Sequence, residues 1–257
     1  MRTPPVQHKS NQTLSTTPPH PDTFNPMKPI LILSAIPEEI QDFLSHFTNT
    51  QTQTHGPFTT HHTQSDTTPL ILSTTGVGKV SAAMTTQHLI ERHQPRAILF
   101  TGLAGALNPN YEIGDLVIAT RTIQYDIDAS ELGFPPGTIP YTPYHTFTPD
   151  PHLLAHAQAI TLPQTIHHGT ILTGDQFITH QKRPAYQHLF DHFQGDAIEM
   201  EGAALAHVCT HNQTPHLLIR TISDKANADA PTDFTTFLHT ASQNSFQLIQ
   251  TLLRTLP

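Results

Sequence analysis

The stretch "AIEMEGAALAHV", residues 197–208, joins a short apolar run to an alanine-rich one with Glu199 and Glu201 at the junction. Its first half reads as the end of a strand and its second as a helix, since Ala and Leu are strong helix formers. A strand that hands over directly to a helix is the repeating unit of an α/β sheet. Only 12% of the residues are charged, so two acids at one such junction need a reason. Buried acids are costly without partners.

The same pattern recurs outward from this point. "ILILSA" (30–35), "LILSTT" (70–75), "AILFTG" (97–102), "DLVIAT" (115–120) and "HLLIRTIS" (216–223) read as strands. Their unbroken apolar character predicts burial on both faces, as in a parallel or mixed sheet. Helical patterns are expected near 38–47, 78–93, 150–160, 200–211 and 233–254. In the last, Phe234, Phe237, Leu238, Ala241, Leu248, Ile249 and Leu252 recur at helical spacing on one face. "THGPFTTHHTQSDTTP" (54–69) reads as a hairpin or loop. The alternation predicts a three-layer α/β/α sandwich around a central mixed β-sheet. It forms one domain over 27–257, after a Pro/Thr-rich, disordered tail over 1–26. Met27 is an alternative chain start.

Composition narrows the partners. The formal charge is −8 with no basic stripe, which argues against nucleic acid. No apolar run reaches the roughly 18–20 residues that a membrane span needs. The single cysteine, Cys209, fits a reducing, cytoplasmic setting. Twenty histidines are scattered without zinc-site spacing, so no metal site is expected.

Two glycine motifs lie beside strands. "TTGVGKV" (74–80) fails as a phosphate loop, because Ser73 and Val80 stand where Gly and Ser/Thr are needed. Ser81 likewise breaks a dinucleotide fingerprint. The remaining reading is a flexible strand-to-helix turn. In "TGLAGAL" (101–107), the missing side chains at Gly102 and Gly105 let a ligand approach the backbone near Ala104. Three acids also fall at strand ends: Glu39 in "AIPEEI", Glu201, and Asp224 closing "LLIRTISD". Each alone fits a helix start or cap. Together they suit glycosyl chemistry, in which one acid protonates a leaving group and another activates water.

"AIPEEI", "TGVGKVSAA", "TGLAGAL", "IGDLVIAT", "TGDQFIT", "AIEMEGAALAHVC" and "IRTISDKAN" occur in this order. Together they resemble the bacterial 5′-methylthioadenosine/S-adenosylhomocysteine nucleosidases of the nucleoside phosphorylase superfamily. The resemblance implies a nucleoside phosphorylase-like fold and hydrolysis of the adenine–ribose bond. Water is the nucleophile, and no cofactor or metal takes part. It implies that Asp224, oriented by Ser223, protonates adenine N7 and that Glu39 polarises the water. Glu201 is implied to bind the ribose hydroxyls over Met200, with Arg220 near the ribose and water or paired with Glu199. Phe177 and Ile178 are implied to contact the purine, and Ile36 and Phe234 to line the pocket. Leu132, Phe134 and Pro140 are implied to lie around the 5′-substituent, partly across a homodimer interface within 125–145.

Leu132 and "IPY" (139–141) depart from the family pattern. Futalosine or aminofutalosine hydrolysis in menaquinone synthesis therefore stays open beside methylthioadenosine and adenosylhomocysteine cleavage. A phosphorylase would need an anion site, for which this chain has few basic residues. The reading from another class is a nucleoside-binding or storage protein without turnover. Retention of both an acid and a water activator argues against it.

Overall fold

The computed structural model describes residues 28–179, 182–225 and 230–256, and the expected tail over 1–26 lies outside the described residues. The first half runs β1 (Ile30–Ser34), a 3-10 turn (Pro37–Ile40), α1 (Gln41–His46), β2 (Gln51–His55), β3 (Phe58–Ser65), β4 (Thr68–Thr74), α2 (Lys79–His93), β5 (Ala97–Phe100) and β6 (Leu103–Ala106). The second runs β7 (Leu116–Gln124), α3 (Pro151–Gln158), β8 (Ile166–Thr173), α4 (Arg183–Phe193), β9 (Ala197–Glu199), α5 (Gly202–His211), β10 (His216–Asp224) and α6 (Ala230–Thr255).

The strands form one mixed sheet in the order β2-β3-β4-β1-β5-β10-β6-β9-β8-β7. Successive strand residues point to opposite faces, so each apolar run feeds two cores. Ile30 and Ile32 of β1 join Phe43 of α1, Leu153 of α3 and Leu248, Ile249 and Leu252 of α6. Leu31 and Leu33 join Leu89 of α2 and Leu205 and Cys209 of α5 on the other face. This is the expected helix–sheet–helix layering, and it explains why these strands lack polar alternation.

One half of the sheet also curls shut. β10 pairs with β5 through His216–Leu218, then with β6 through Thr221–Asp224, and its other edge is antiparallel to β7. β7, β8, β9 and β6 follow one another, so these four strands and β10 make a closed ring. The ring places Gly105 of β6 opposite both Asp224 of β10 and Ile198 of β9. Segments far apart in sequence thus meet across two strand spacings, about 5 Å each.

The structure adds elements that periodicity missed. Residues 54–69 lie across an antiparallel run of three strands, β2-β3-β4, whose Thr- and His-rich outer strand β2 is exposed. β8 ("IHHGTILT") was hidden by its polar start and α4 ("RPAYQHLFDHF") by its mixed face. In α6, Leu248, Ile249 and Leu252 are buried as expected, but Phe237 is 37% exposed. The side chains of Phe234 and Ala241 lie outside those described.

Candidate active site

A cavity of about 410 Å³ opens where the carboxyl ends of β1, β9 and β10 converge. Glu39, Glu201 and Asp224 all line it, and so do Ile36, Ala104, Gly105, Phe177, Ile178, Met200 and Ser223. The volume suits a small organic ligand, and mostly apolar walls with a few convergent polar groups are the usual make-up of such sites.

Glu39 sits in the 3-10 turn that breaks away from β1 at Pro37. Its carboxylate folds back on the chain. Oε2 accepts from the N–H groups of Ala35 (2.8 Å) and Ile36 (3.1 Å), and Oε1 accepts from Leu103 N–H (3.1 Å). The helix-start and site readings of this acid therefore coexist. Burial raises its pKa above the ordinary value, and the Arg220 charge and the three N–H bonds oppose that rise. Gly102 makes the approach possible. A Cβ there would lie 2.9 Å from Glu39 Oε1 and 3.2 Å from Arg220 Nη1.

The two acids of "EME" do different things. Glu199 accepts from Gly202 N–H with both oxygens, at 3.0 and 2.7 Å, and from Arg220 Nη2 at 2.7 Å. Thr173 Oγ1 donates to it and accepts from Ala203 N–H at 2.8 Å. Glu199 is thus the anion at the α5 N-terminus, neutralised by a buried arginine. Glu201, two residues on, reaches across to α2, where Gly78 N–H donates to its Oε1 at 2.7 Å. Burial first, and the Glu199 charge second, hold its pKa well above the carboxylate range.

Arg220 is 1% exposed, is not among the residues lining the cavity of this single chain, and takes the second of its two expected places, as the partner of Glu199. Its guanidinium stacks 4.2 Å from the Phe100 ring centroid and donates to the carbonyls of Phe100 and Ile219. It works from behind the two acids. At the end of β10, Ser223 Oγ donates to Asp224 Oδ2 at 2.9 Å, and both residues are buried.

Leu132, Phe134 and Pro140 are not among the lining residues of this single chain, and Leu132 is 68% exposed. Phe234 falls in α6, but its side chain is outside those described. The sequence reading missed Ala35, Val77, Leu103, Gln176, Ile198 and Glu199 in the lining, and the Gly78 N–H that holds Glu201. The available signal was "TGVGKV". Gly76 and Gly78 take positive φ (79° and 91°), which turns the chain from β4 into α2 and aims a helix-start N–H at a carboxylate.

Fold and site together define an α/β protein with a carboxylate-lined, ligand-sized cavity at its strand ends, and a family model described as the phosphorylase superfamily matches residues 29–254. The chain belongs to that superfamily and, within it, to the 5′-methylthioadenosine/S-adenosylhomocysteine nucleosidase family. A nucleosidase of that name from Chromohalobacter salexigens is 32% identical, with 90% of this chain and 98% of the relative covered. An aminodeoxyfutalosine nucleosidase from Campylobacter jejuni is 35% identical, with 87% and 97% covered. The crystal structure of the Neisseria meningitidis nucleosidase in complex with methylthio-immucillin-A superposes with a TM-score of 0.84 at 29% identity, covering 90% of this chain and all (100%) of that one.

Proposed function

We propose that this chain is an N-glycosidic hydrolase that releases adenine from 5′-methylthioadenosine and S-adenosylhomocysteine. The observation that carries the reading is the meeting of Glu39, Glu201 and Asp224 in one cavity. Glu201 accepts from the ribose hydroxyls, while Met200 supports the sugar. Asp224, held by Ser223, carries the proton that goes to adenine N7. The C1′–N9 bond breaks with its electron pair leaving on the purine, and the ribosyl group becomes an oxocarbenium-like cation. Water then bonds to C1′, and its proton passes to Glu39. The raised pKa of Glu39 in the free protein brings it closer to that of a working base.

A homodimer is part of this reading. Val77, Val80 and Met84 are exposed at helical spacing around the start of α2, and Leu132 and Tyr141 are exposed within 125–145. Val77 also lines the cavity, and exposed apolar side chains of this kind support the reading that a second copy covers this surface. Sedimentation should give twice the chain mass, and Val80→Glu with Met84→Glu should give the monomer. No helix among the described residues is long and apolar enough to cross a membrane, and we place the protein in the cytoplasm. The catalytic unit is one domain over 27–257, so removing residues 1–26 should leave the rate unchanged.

Aminodeoxyfutalosine cleavage is the second reading, favoured by the Campylobacter relative at 35% identity. Specificity constants for methylthioadenosine, adenosylhomocysteine and aminodeoxyfutalosine, measured with and without phosphate, decide between them. The proposed function expects phosphate-independent adenine release that is fastest with a 5′-thio nucleoside. Tight binding without release would leave a storage protein.

A further inference from the structure

Just outside the cavity, three residues from three segments close a ring of hydrogen bonds. Lys79 Nζ donates to Asp126 Oδ1 at 2.6 Å, and Asp175 N–H donates to Asp126 Oδ2 at 3.0 Å. Lys79 N–H closes the ring on Asp175 Oδ1 at 2.8 Å. The Lys79 and Asp126 side chains are only 17% and 20% exposed, so water screens this pair less than a surface one. None of the three lines the cavity, yet each adjoins a segment that the site uses. Lys79 follows Gly78, whose N–H holds Glu201. Asp175 comes two residues before Phe177, and Asp126 is the second residue of the 125–145 segment.

We propose that Lys79 is a positioning residue for the reaction. Its ammonium, shared with Asp126, fixes the start of α2 so that Gly78 N–H stays on Glu201. Through Asp175 it keeps the Phe177 loop at a set distance from that carboxylate. Two cavity walls carried by different strands are thereby held in register. The inference rests on the reading of the cavity as a ribonucleoside site with Glu201 on the sugar. A displacement of about 1 Å at such a contact costs up to about 100-fold.

The test is a double-mutant cycle on adenine release from methylthioadenosine, with circular dichroism and melting curves for every variant. Lys79→Met should lower kcat/KM by about 10- to 100-fold while the protein stays folded. In a Glu201→Gln background, where the positioned group is already impaired, the same change should cost under about threefold. Asp126→Asn keeps an oxygen for Asp175 N–H and removes the ion pair, and it carries the same comparison if Lys79→Met does not fold. Equal losses in both backgrounds, or an unaltered kcat/KM in folded Lys79→Met, would overturn the proposal. Wild-type protein that releases no adenine would count against the functional reading instead. The coupling is then read from methylthioadenosine dissociation constants, and its absence there overturns the ring's role.

Discussion

The two ends of α2 both gather titratable groups, and they do opposite things with them. At the N-terminal end, the acids Glu201, Asp126 and Asp175 are bonded by N–H groups and an ammonium from distant segments. At the C-terminal end, histidines crowd against the β2-β3 hairpin. His88 stacks on Phe58 and His55, and His93 meets His62 edge-on. The Nε2 atoms of His88 and His93 are buried without a hydrogen-bond partner among the described residues. Among those residues, no group of three His, Cys, Asp or Glu could hold a metal ion. A site arises where donors from several strand ends converge on a charge. Abundance of a residue type does not make one.

The strongest test of this contrast removes a converging acid. Asp224→Asn or Glu39→Gln should fold normally and lose about 10²- to 10⁴-fold in adenine release, the range for acid–base groups. Near-normal release from either would remove that residue from its role. Next is the charge behind the acids. Arg220→Met leaves Glu199 buried without its cation and should cost about 3–5 kcal/mol in urea unfolding, as broken buried pairs do. A loss below about 1 kcal/mol would mean that the pair is solvated like a surface one.

The pH dependence should differ in sign between the cavity acids and these histidines. Glu39 and Glu201 have raised folded pKa values, so their contribution to the stability of the ligand-free protein is fully present below the unfolded value near 4.5. It is lost as pH rises through the folded values. The acid limb of kcat/KM should accordingly lie above the ordinary carboxylate range, and in Glu39→Gln it should narrow to the titration of Glu201. His93 is lowered to about 4 by burial, then by His62, Arg92 and His88. It contributes stability above pH 6.5 that is lost as pH falls through about 4. Melting curves between those limits should flatten in His93→Gln, with turnover at neutral pH unaltered. The smallest effect belongs to the exposed outer strand. Thr52→Val should shift stability by no more than about 0.5 kcal/mol.

Much of this architecture was written locally. Ile30–Leu33, Leu70–Leu72 and Leu217–Ile219 are continuous apolar runs because helices cover both faces of their strands, and that alone marks a buried sheet. The ordered motifs place Glu39, Glu201 and Asp224 at strand ends. β2 and β3 escaped because edge strands carry Thr, His and Gln and resemble loops. Arg220 was readable either as a site residue or as the partner of Glu199. Only its stacking on Phe100 and its 2.7 Å bond to Glu199 place it behind the acids.

The sequence by itself determined the α/β layering, the family and the identity of the acids, since periodicity and short motifs are properties of neighbouring residues. Tertiary structure alone decided that β10 pairs with β5, β6 and β7, and that Gly105 stands between Asp224 and Ile198. It also decided that Glu199, though it too lines the cavity, is bonded to the α5 start and Arg220, while Glu201 takes its bond from Gly78 N–H. Strand order and the closing of a ring depend on pairings between separate segments, from Ile171 with Ala197 to Gly105 with Asp224, and no local pattern encodes the direction in which a carboxylate finds its donors.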